Sequence, residues 1–221
     1  MLEKFRPEAL RLFILSSHYR SPLNYSETAL QEAEAGLDRL YGALAEVAGV
    51  VARRGDKAIG QGASVVGRKQ RTTIEELEGR FFAAMDNDFN AAAAIGHLFE
   101  AVKAANSILR ALPSAPLQED LSLLQRLCGS VVRCAGILGL LQQAPEAVMA
   151  RREEILLAEL GKTKEEVAAL VQARNEARVR KDWAESDRIR DRLTAIGIEL
   201  HDSPEGTGWT VRGPSGNSVG E

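Results

Sequence analysis

Apolar residues recur along the first two-thirds of the chain at the three-and-four spacing of an amphipathic helix. From Ser26, placed to cap the segment, the stripe runs through Leu30, Ala33, Leu37, Leu40, Leu44, Val47 and Val51. A second stripe follows Asn90: Ile95, Leu98, Phe99, Val102, Ala105, Ile108, Leu109 and Leu112. A third comes after Pro113 and Pro116, through Leu117, Leu121, Leu124, Leu127, Val131, Ala135, Leu138 and Leu141. Between the first two, a shorter helix is expected to open at Thr73, with Glu76 completing a capping box. Ahead of them Pro7 stands where the first turn of a helix tolerates it, and Leu10, Phe13 and Ile14 face one way until Pro22 ends the segment. Stripes this wide must cover one another, so the pattern predicts a mainly α protein built on an antiparallel helical bundle. A last helical stretch, Pro145 to Leu160, ends at Gly161.

Beyond Gly161 the pattern changes. Thr163 with Glu166, and Asp182 with Glu185, have the spacing of capping boxes and predict two helices. Gly197 sits where the second helix would close in the left-handed conformation. Residues 198–202 alternate as a strand, 203–208 have turn chemistry, and 209–212 alternate again. The reading divides the chain into an entry segment over 1–25, a helical bundle over 26–160, a small α+β module with two helices and a β-hairpin over 161–212, and a tail over 213–221. The tail has no apolar pattern and is expected to be disordered.

Composition narrows the classes. At 221 residues and 5% aromatic content, the chain suits helices packed through Leu and Ala. No run of about 18 apolar residues exists to span a membrane, and the first residues lead into an amphipathic segment, so the expected compartment is the cytoplasm. Cys128 and Cys134 lie too far apart along one helix to bond to each other and are expected as small core residues. His18 and His97 have no second ligand at metal spacing and are read as structural.

Charge singles out two stretches. Residues 171–192 carry seven basic side chains (Arg174, Arg178, Arg180, Lys181, Arg188, Arg190, Arg192) and five acidic ones (Glu176, Asp182, Glu185, Asp187, Asp191) in a chain of net charge −3. Trp183 stands among them. Arginines neutralise phosphates, carboxylates accept from base amino groups, and an exposed indole stacks on an unpaired base, so the set suits single-stranded RNA. On composition alone a solvated, salt-bridged helix face is the preferred reading. Residues 53–71 hold six basic residues against one acidic and four glycines, and are expected as a loose solvated loop. The alternative there is an arm touching RNA phosphates.

Three blocks resemble one family. Arg174, Glu176, Ala177, Arg178, Lys181, Asp182, Trp183, Ala184, Asp187, Ile189, Arg190, Asp191 and Leu193, followed by Gly197–Ile198, the turn at Asp202 and Gly206–Thr207, are similar to the anticodon-binding domain of cysteinyl-tRNA synthetases, a class I family. Residues 8–26 resemble the stretch after that family's catalytic domain, its stem-contact region. Residues 81–90 resemble its mid-bundle signature, with Asn87 where an aspartate is more usual. The blocks keep the family's order over residues 8–212.

The resemblance implies a DALR-type bundle followed by an anticodon-binding module, with tRNA(Cys) as partner and no DNA or membrane partner. It assigns Arg178, Trp183, Asp187 and Asp202 to the anticodon, with Arg174, Lys181 and Arg188 as candidates for the tRNA backbone; Trp209 is read as hairpin packing. The family's catalytic marks, a HisXxxGlyHis signature, a LysMetSerLysSer loop and a zinc site, do not occur here. Catalytic and metal-ligating residues are therefore expected to be none, with ATP and zinc belonging to a missing catalytic domain that would be this segment's covalent partner. The competing reading is a free-standing paralogue serving as an RNA-binding or protein-interaction module.

Overall fold

A computed structural model of the chain describes residues 4–55, 63–203, 206–212 and 218–219. Among them the chain forms nine helices and three strands, in two compact units, Met1–Pro145 and Glu146–Glu221.

The first unit is an antiparallel helical bundle: α1 (Pro7–Leu15), α2 (Glu27–Arg54), α3 (Arg68–Glu75), α4 (Leu77–Asp86), α5 (Ala91–Ala111) and α6 (Gln118–Ile137). Ser26 and Asn90 cap as their chemistry predicts, accepting from the amides of Ala29 and Ala93 at 3.0 Å each. The stripes of α2, α5 and α6 supply the core, with Leu30, Leu37, Leu40, Leu98, Ile108, Leu124, Leu127 and Val131 fully enclosed. Truncating any of these leucines to alanine costs about 2–5 kcal/mol.

Two expectations change here. Helix α1 buries Ala9, Leu12 and Phe13, while Ile14 stays half exposed. Polar anchors set that rotation. The Arg6 amide donates to Glu34 at 2.9 Å and its guanidinium to Asp38 at 2.5 Å. The Tyr41 hydroxyl donates to Glu8 at 3.1 Å, and Glu8 also accepts from the Leu141 amide at 2.5 Å. Burial, reinforced by the Glu8 carboxylate, pushes the Tyr41 hydroxyl up to about 12.

The second change is at α3, which starts five residues before Thr73. The Gly67 amide donates to Gln70 Oε1 at 2.8 Å, and Thr73 lies inside the helix with its hydroxyl donating to the Lys69 carbonyl at 2.9 Å. A threonine that bonds back to the preceding turn is not free to cap the next one. The basic stretch 53–71 is therefore not one loose loop. Arg53 and Arg54 end α2, Arg68, Lys69 and Arg71 belong to α3, and residues 56–62, with Lys57, lie outside the described residues. Arg54 donates to the Pro113 carbonyl at 3.0 Å and Arg71 pairs with Glu119 at 2.6 Å. Buried Asp120 accepts from the Ser64 hydroxyl and the Val65 amide, fixing the chain as it re-enters the bundle.

The turn between α4 and α5 joins two of the sequence blocks. Asp88 and Phe89 both have positive φ (55° and 51°), and the Asn90 amide closes the turn on the Ala84 carbonyl at 3.1 Å. Asp88 accepts from the Tyr19 hydroxyl at 2.7 Å and from Arg20 at 3.1 Å, so the loop after α1 is fastened to the α4–α5 turn. His18 accepts from the Arg20 amide at 3.3 Å, and His97 lies 3.4 Å from Glu100. Cys134 is buried and Cys128 half-buried, both as free thiols; burial pushes the Cys128 thiol up to about 11.

The second unit comprises α7 (Pro145–Glu159), α8 (Lys164–Val179), α9 (Trp183–Ala195) and an antiparallel sheet of β1 (Ile198–Ser203), β2 (Gly206–Arg212) and β3 (Ser218–Val219), in that order. The units divide at residue 145, not 160, because Leu156 and Leu157 of α7 join Val167, Val171, Ile189, Leu193, Ile198, Trp209 and Val211 in one core. Strand β2 begins at Gly206, earlier than the turn chemistry of 203–208 predicts. Gly206 enters the ladder with φ +143°, a conformation that glycine adopts freely, and pairs with Ser203, while Gly208 pairs with His201. Residues 218–219 of the expected tail form β3 against Val211 and Arg212; residues 213–217 and 220–221 lie outside the described residues. Among the described residues no helix is long and apolar enough to cross a membrane.

Candidate nucleic-acid interface

The second unit gathers its charged groups around the end of the hairpin. Helix α8 begins with the predicted capping box: Thr163 accepts from the Glu166 amide at 3.2 Å, and Glu166 accepts from the Thr163 amide at 3.1 Å. It ends at Arg180, and Lys181 turns the chain with φ +61°. The Asp182 amide reaches back to the Ala177 carbonyl at 2.9 Å, a Schellman closure made with lysine where glycine is usual. Asp182 then caps α9 by accepting from the Glu185 amide at 3.1 Å. This immediate restart places Trp183 at the first position of α9, outside the core, with 60% of its surface exposed. Trp209 is 4% exposed and fills the hairpin core, as expected of it.

Strand alternation explains the rest. Ile198, Leu200 and Asp202 share a face of β1, opposite Val211, Trp209 and Thr207 of β2. Ile198 and Val211 are buried in the core, so Asp202 shares the core face at the turn end of the hairpin, next to the Ser203–Gly206 pair. Helix α8 sets a cation against this carboxylate. Arg174 lies on the buried stripe Val167, Val171, Arg174 and is itself 5% exposed. Its two terminal nitrogens donate to the two oxygens of Asp202, Nη1 to Oδ1 at 2.9 Å and Nη2 to Oδ2 at 2.8 Å. Arg178, one turn on, reaches Oδ1 at 3.1 Å, and the Thr207 hydroxyl lies 2.8 Å from the same oxygen. The Arg174 hydrogen bonds hold the Asp202 carboxyl far below the usual carboxylate range, with Thr207 and the charge of Arg178 adding to the effect. Asp202 in turn raises the basicity of Arg174, and the charge of Asp187 adds to it.

The structure thus brings Arg174, Arg178 and Asp202 together, and Asp187 lies close enough to act on Arg174 electrostatically. Arg174, a candidate for the tRNA backbone, is buried and bound to Asp202 instead of open to solvent. Asp187 is exposed and 3.5 Å from Arg190. Lys181 is exposed, and Arg188 is exposed and pairs with Glu185 at 2.9 Å. Two participants escaped the sequence reading. Thr207 lies between Asp202 and Asn175, 3.0 Å from Asn175 Oδ1. Both line a cavity of about 630 Å³ between α8 and β2, with Val171, Val179 and Trp209 in its walls. Among the described residues no cluster of three His, Cys, Asp or Glu side chains is arranged to hold a metal ion.

Comparison with known proteins bears on this geometry. The family model described as "DALR domain" matches residues 80–142, and that described as "Cysteinyl-tRNA ligase anticodon binding domain" matches residues 160–209. The chain thus carries a DALR domain and, after it, a cysteinyl-tRNA ligase anticodon-binding domain. Relatives named cysteine–tRNA ligase include one from Desulfotalea psychrophila, 39% identical over 211 residues (96% of this chain, 42% of the relative). One from Pseudomonas aeruginosa is 42% identical over 212 residues (96% and 39%), and one from Syntrophobacter fumaroxidans is 39% identical over 218 residues (96% and 43%). The chain spans about two-fifths of the length of these relatives, matching their C-terminal part. Within the anticodon-binding domain fall all of Arg174, Arg178, Lys181, Trp183, Asp187, Arg188, Asp202 and Thr207.

Proposed function

We propose that this chain is the tRNA-binding region of a cysteine–tRNA ligase and that its second unit grips the anticodon loop of tRNA(Cys). The observation that carries the reading is the exposed indole of Trp183 at the head of α9, in a unit where Arg178 of α8 meets Asp202 of β1. An indole so placed offers one flat partner to a splayed base, with the remaining contacts coming from the cations around it. Arg178 is 41% exposed and donates to a phosphate or to guanine; Asp202 and Asp187 are carboxylate acceptors for base amino groups. Lys181 and Arg188 supply phosphate neutralisation. DNA is not a partner in this reading, because splayed anticodon bases and not a duplex groove meet these side chains. Attachment of cysteine, with its ATP and zinc chemistry, is assigned to the catalytic domain of such a ligase, which works in the cytoplasm.

The test is a titration of the chain with an anticodon stem-loop carrying GCA and with loops in which each of the three bases is changed in turn. The reading expects tighter binding of the GCA loop, weakening with salt as counterions are displaced. Equal affinity for every loop refutes the anticodon assignment.

A further inference from the structure

Asp202 has four acceptor positions, two on each oxygen. Oδ1 is crowded by Arg174 Nη1 at 2.9 Å, Arg178 Nη1 at 3.1 Å and the Thr207 hydroxyl at 2.8 Å. Oδ2 takes one bond, from Arg174 Nη2 at 2.8 Å. Among the described residues nothing else donates to Oδ2, so one acceptor position stays open there, and the side chain is 43% exposed. The Thr207 hydroxyl has one hydrogen for two acceptors, Asp202 Oδ1 and Asn175 Oδ1. Turning the Asn175 amide by 180° resolves this: its NH₂ donates to Thr207, which donates to Asp202. The carboxylate is then held from α8 by Arg174 and from β2 by Thr207.

We infer that Arg174 is a positioning residue for base reading, holding Asp202 from beneath so that Oδ2 presents a single outward acceptor to a base bearing an exocyclic amino group. The inference rests on the anticodon reading above and assigns Arg174 a role it exerts only through Asp202. Two observations carry it. A planar guanidinium bonded by two parallel hydrogen bonds fixes the carboxylate's plane as well as its place, which a lysine's single ammonium does not. Arg174 is also buried, so it contributes to recognition without touching RNA. Uracil, with carbonyls where cytosine and adenine carry amino groups, matches this acceptor poorly.

The experiment measures affinity ratios. The chain is titrated with the GCA stem-loop and with loops in which one amino group is deleted: inosine for guanine, pyrimidin-2-one for cytosine, purine for adenine. The parent chain is expected to lose about tenfold or more on at least one deleted loop, by the discrimination usual for a good base contact. Arg174→Lys keeps the charge and loses the fork, and is expected to bring that ratio close to one. Its salt dependence and its affinity for the deleted loops are expected to match the parent's. A purely structural role would weaken all loops alike. Thr207→Val removes one donor from a half-buried site, and its ratio is expected to fall several-fold; it decides the matter alone if Arg174→Lys does not fold, as judged by Trp209 fluorescence. A parent chain that ignores amino deletion while still preferring GCA overturns the inference but leaves the anticodon reading standing, as does a folded Arg174→Lys chain with the parent's ratio. A parent chain indifferent to all base changes overturns both.

Discussion

Breaking the Arg174–Asp202 pair from its two sides should give unequal costs, and the order follows from burial. In Asp202→Ala, Arg174 keeps its charge, because a guanidinium does not deprotonate in a protein, and it stays 5% exposed without its carboxylate. Leaving a buried charge uncompensated costs about 3–5 kcal/mol. In Arg174→Met the stranded group is Asp202, which is 43% exposed, keeps Arg178 at 3.1 Å and Thr207 at 2.8 Å, and can be hydrated. Methionine meanwhile fills the space beside Val171 with apolar atoms. Discounted for solvent screening, that variant is expected to cost about 1 kcal/mol or less. Urea unfolding followed by indole fluorescence reads this unit specifically, since both tryptophans of the chain, Trp183 and Trp209, lie within Glu146–Glu221. Trp209, enclosed in the folded state, supplies the signal. An Arg174→Met cost equal to or above that of Asp202→Ala would refute the reasoning, since it would mean that the carboxylate and not the guanidinium is the buried partner.

Three further outcomes are expected. Asp202 is held below its ordinary carboxyl range, so its contribution is fully present above about pH 4, the unfolded value. It is lost as pH falls further; the stability gap between parent and Asp202→Asn should therefore be constant from pH 7 to about pH 5 and close in stronger acid. The Tyr41 hydroxyl, pushed up to about 12, should ionise later than the ordinary tyrosine near 10 in an absorbance titration. The stability it confers is complete below about pH 10 and lost as pH rises towards 12; Tyr41→Phe, keeping the ring and dropping the Glu8 bond, should lose about 0.5–1.5 kcal/mol at pH 7. Exposed Ile14, Tyr19, Leu23, Tyr25 and Phe89 on the first unit should promote self-association, seen as a concentration-dependent sedimentation coefficient that Tyr25→Ser and Phe89→Ser reduce.

The bundle was legible because its information is one-dimensional. Helical period, wide apolar stripes and the cap at Ser26 all act within a few residues of one another, as do Thr163 and Gly197 in the second unit. The departures have two causes, a distant partner or a local choice that composition leaves open. The rotation of α1 depends on Arg6 and Glu8 meeting Glu34, Asp38, Tyr41 and Leu141, which no local period encodes. The start of α3 turned on whether Thr73 caps forward or bonds backward. The hairpin is longer than its sequence predicts because glycines in a ladder look like glycines in a turn.

At the interface, sequence singled out Arg178, Trp183, Asp187 and Asp202, and the structure joins Arg178 to Asp202 directly. Sequence sets Arg174 at the tRNA backbone and not against Asp202, although a signal for the pair is present: Arg174 falls on the apolar stripe of Val167 and Val171, and Asp202 on the inward register of Ile198 and Leu200. An arginine and an aspartate each occupying a core position on neighbouring elements is the pattern of a buried pair. Thr207 and Asn175 had no such mark, since their roles follow from the hairpin register alone.

The most direct measurement compares the parent chain with Trp183→Ala on the GCA stem-loop. Because Trp183 is 60% exposed, its loss should leave the unfolding midpoint unchanged. Loss of a base-stacking partner should weaken binding by about 1–3 kcal/mol, which is roughly five- to 150-fold. A Trp183→Ala chain that is folded and binds the GCA loop as tightly as the parent would contradict the account.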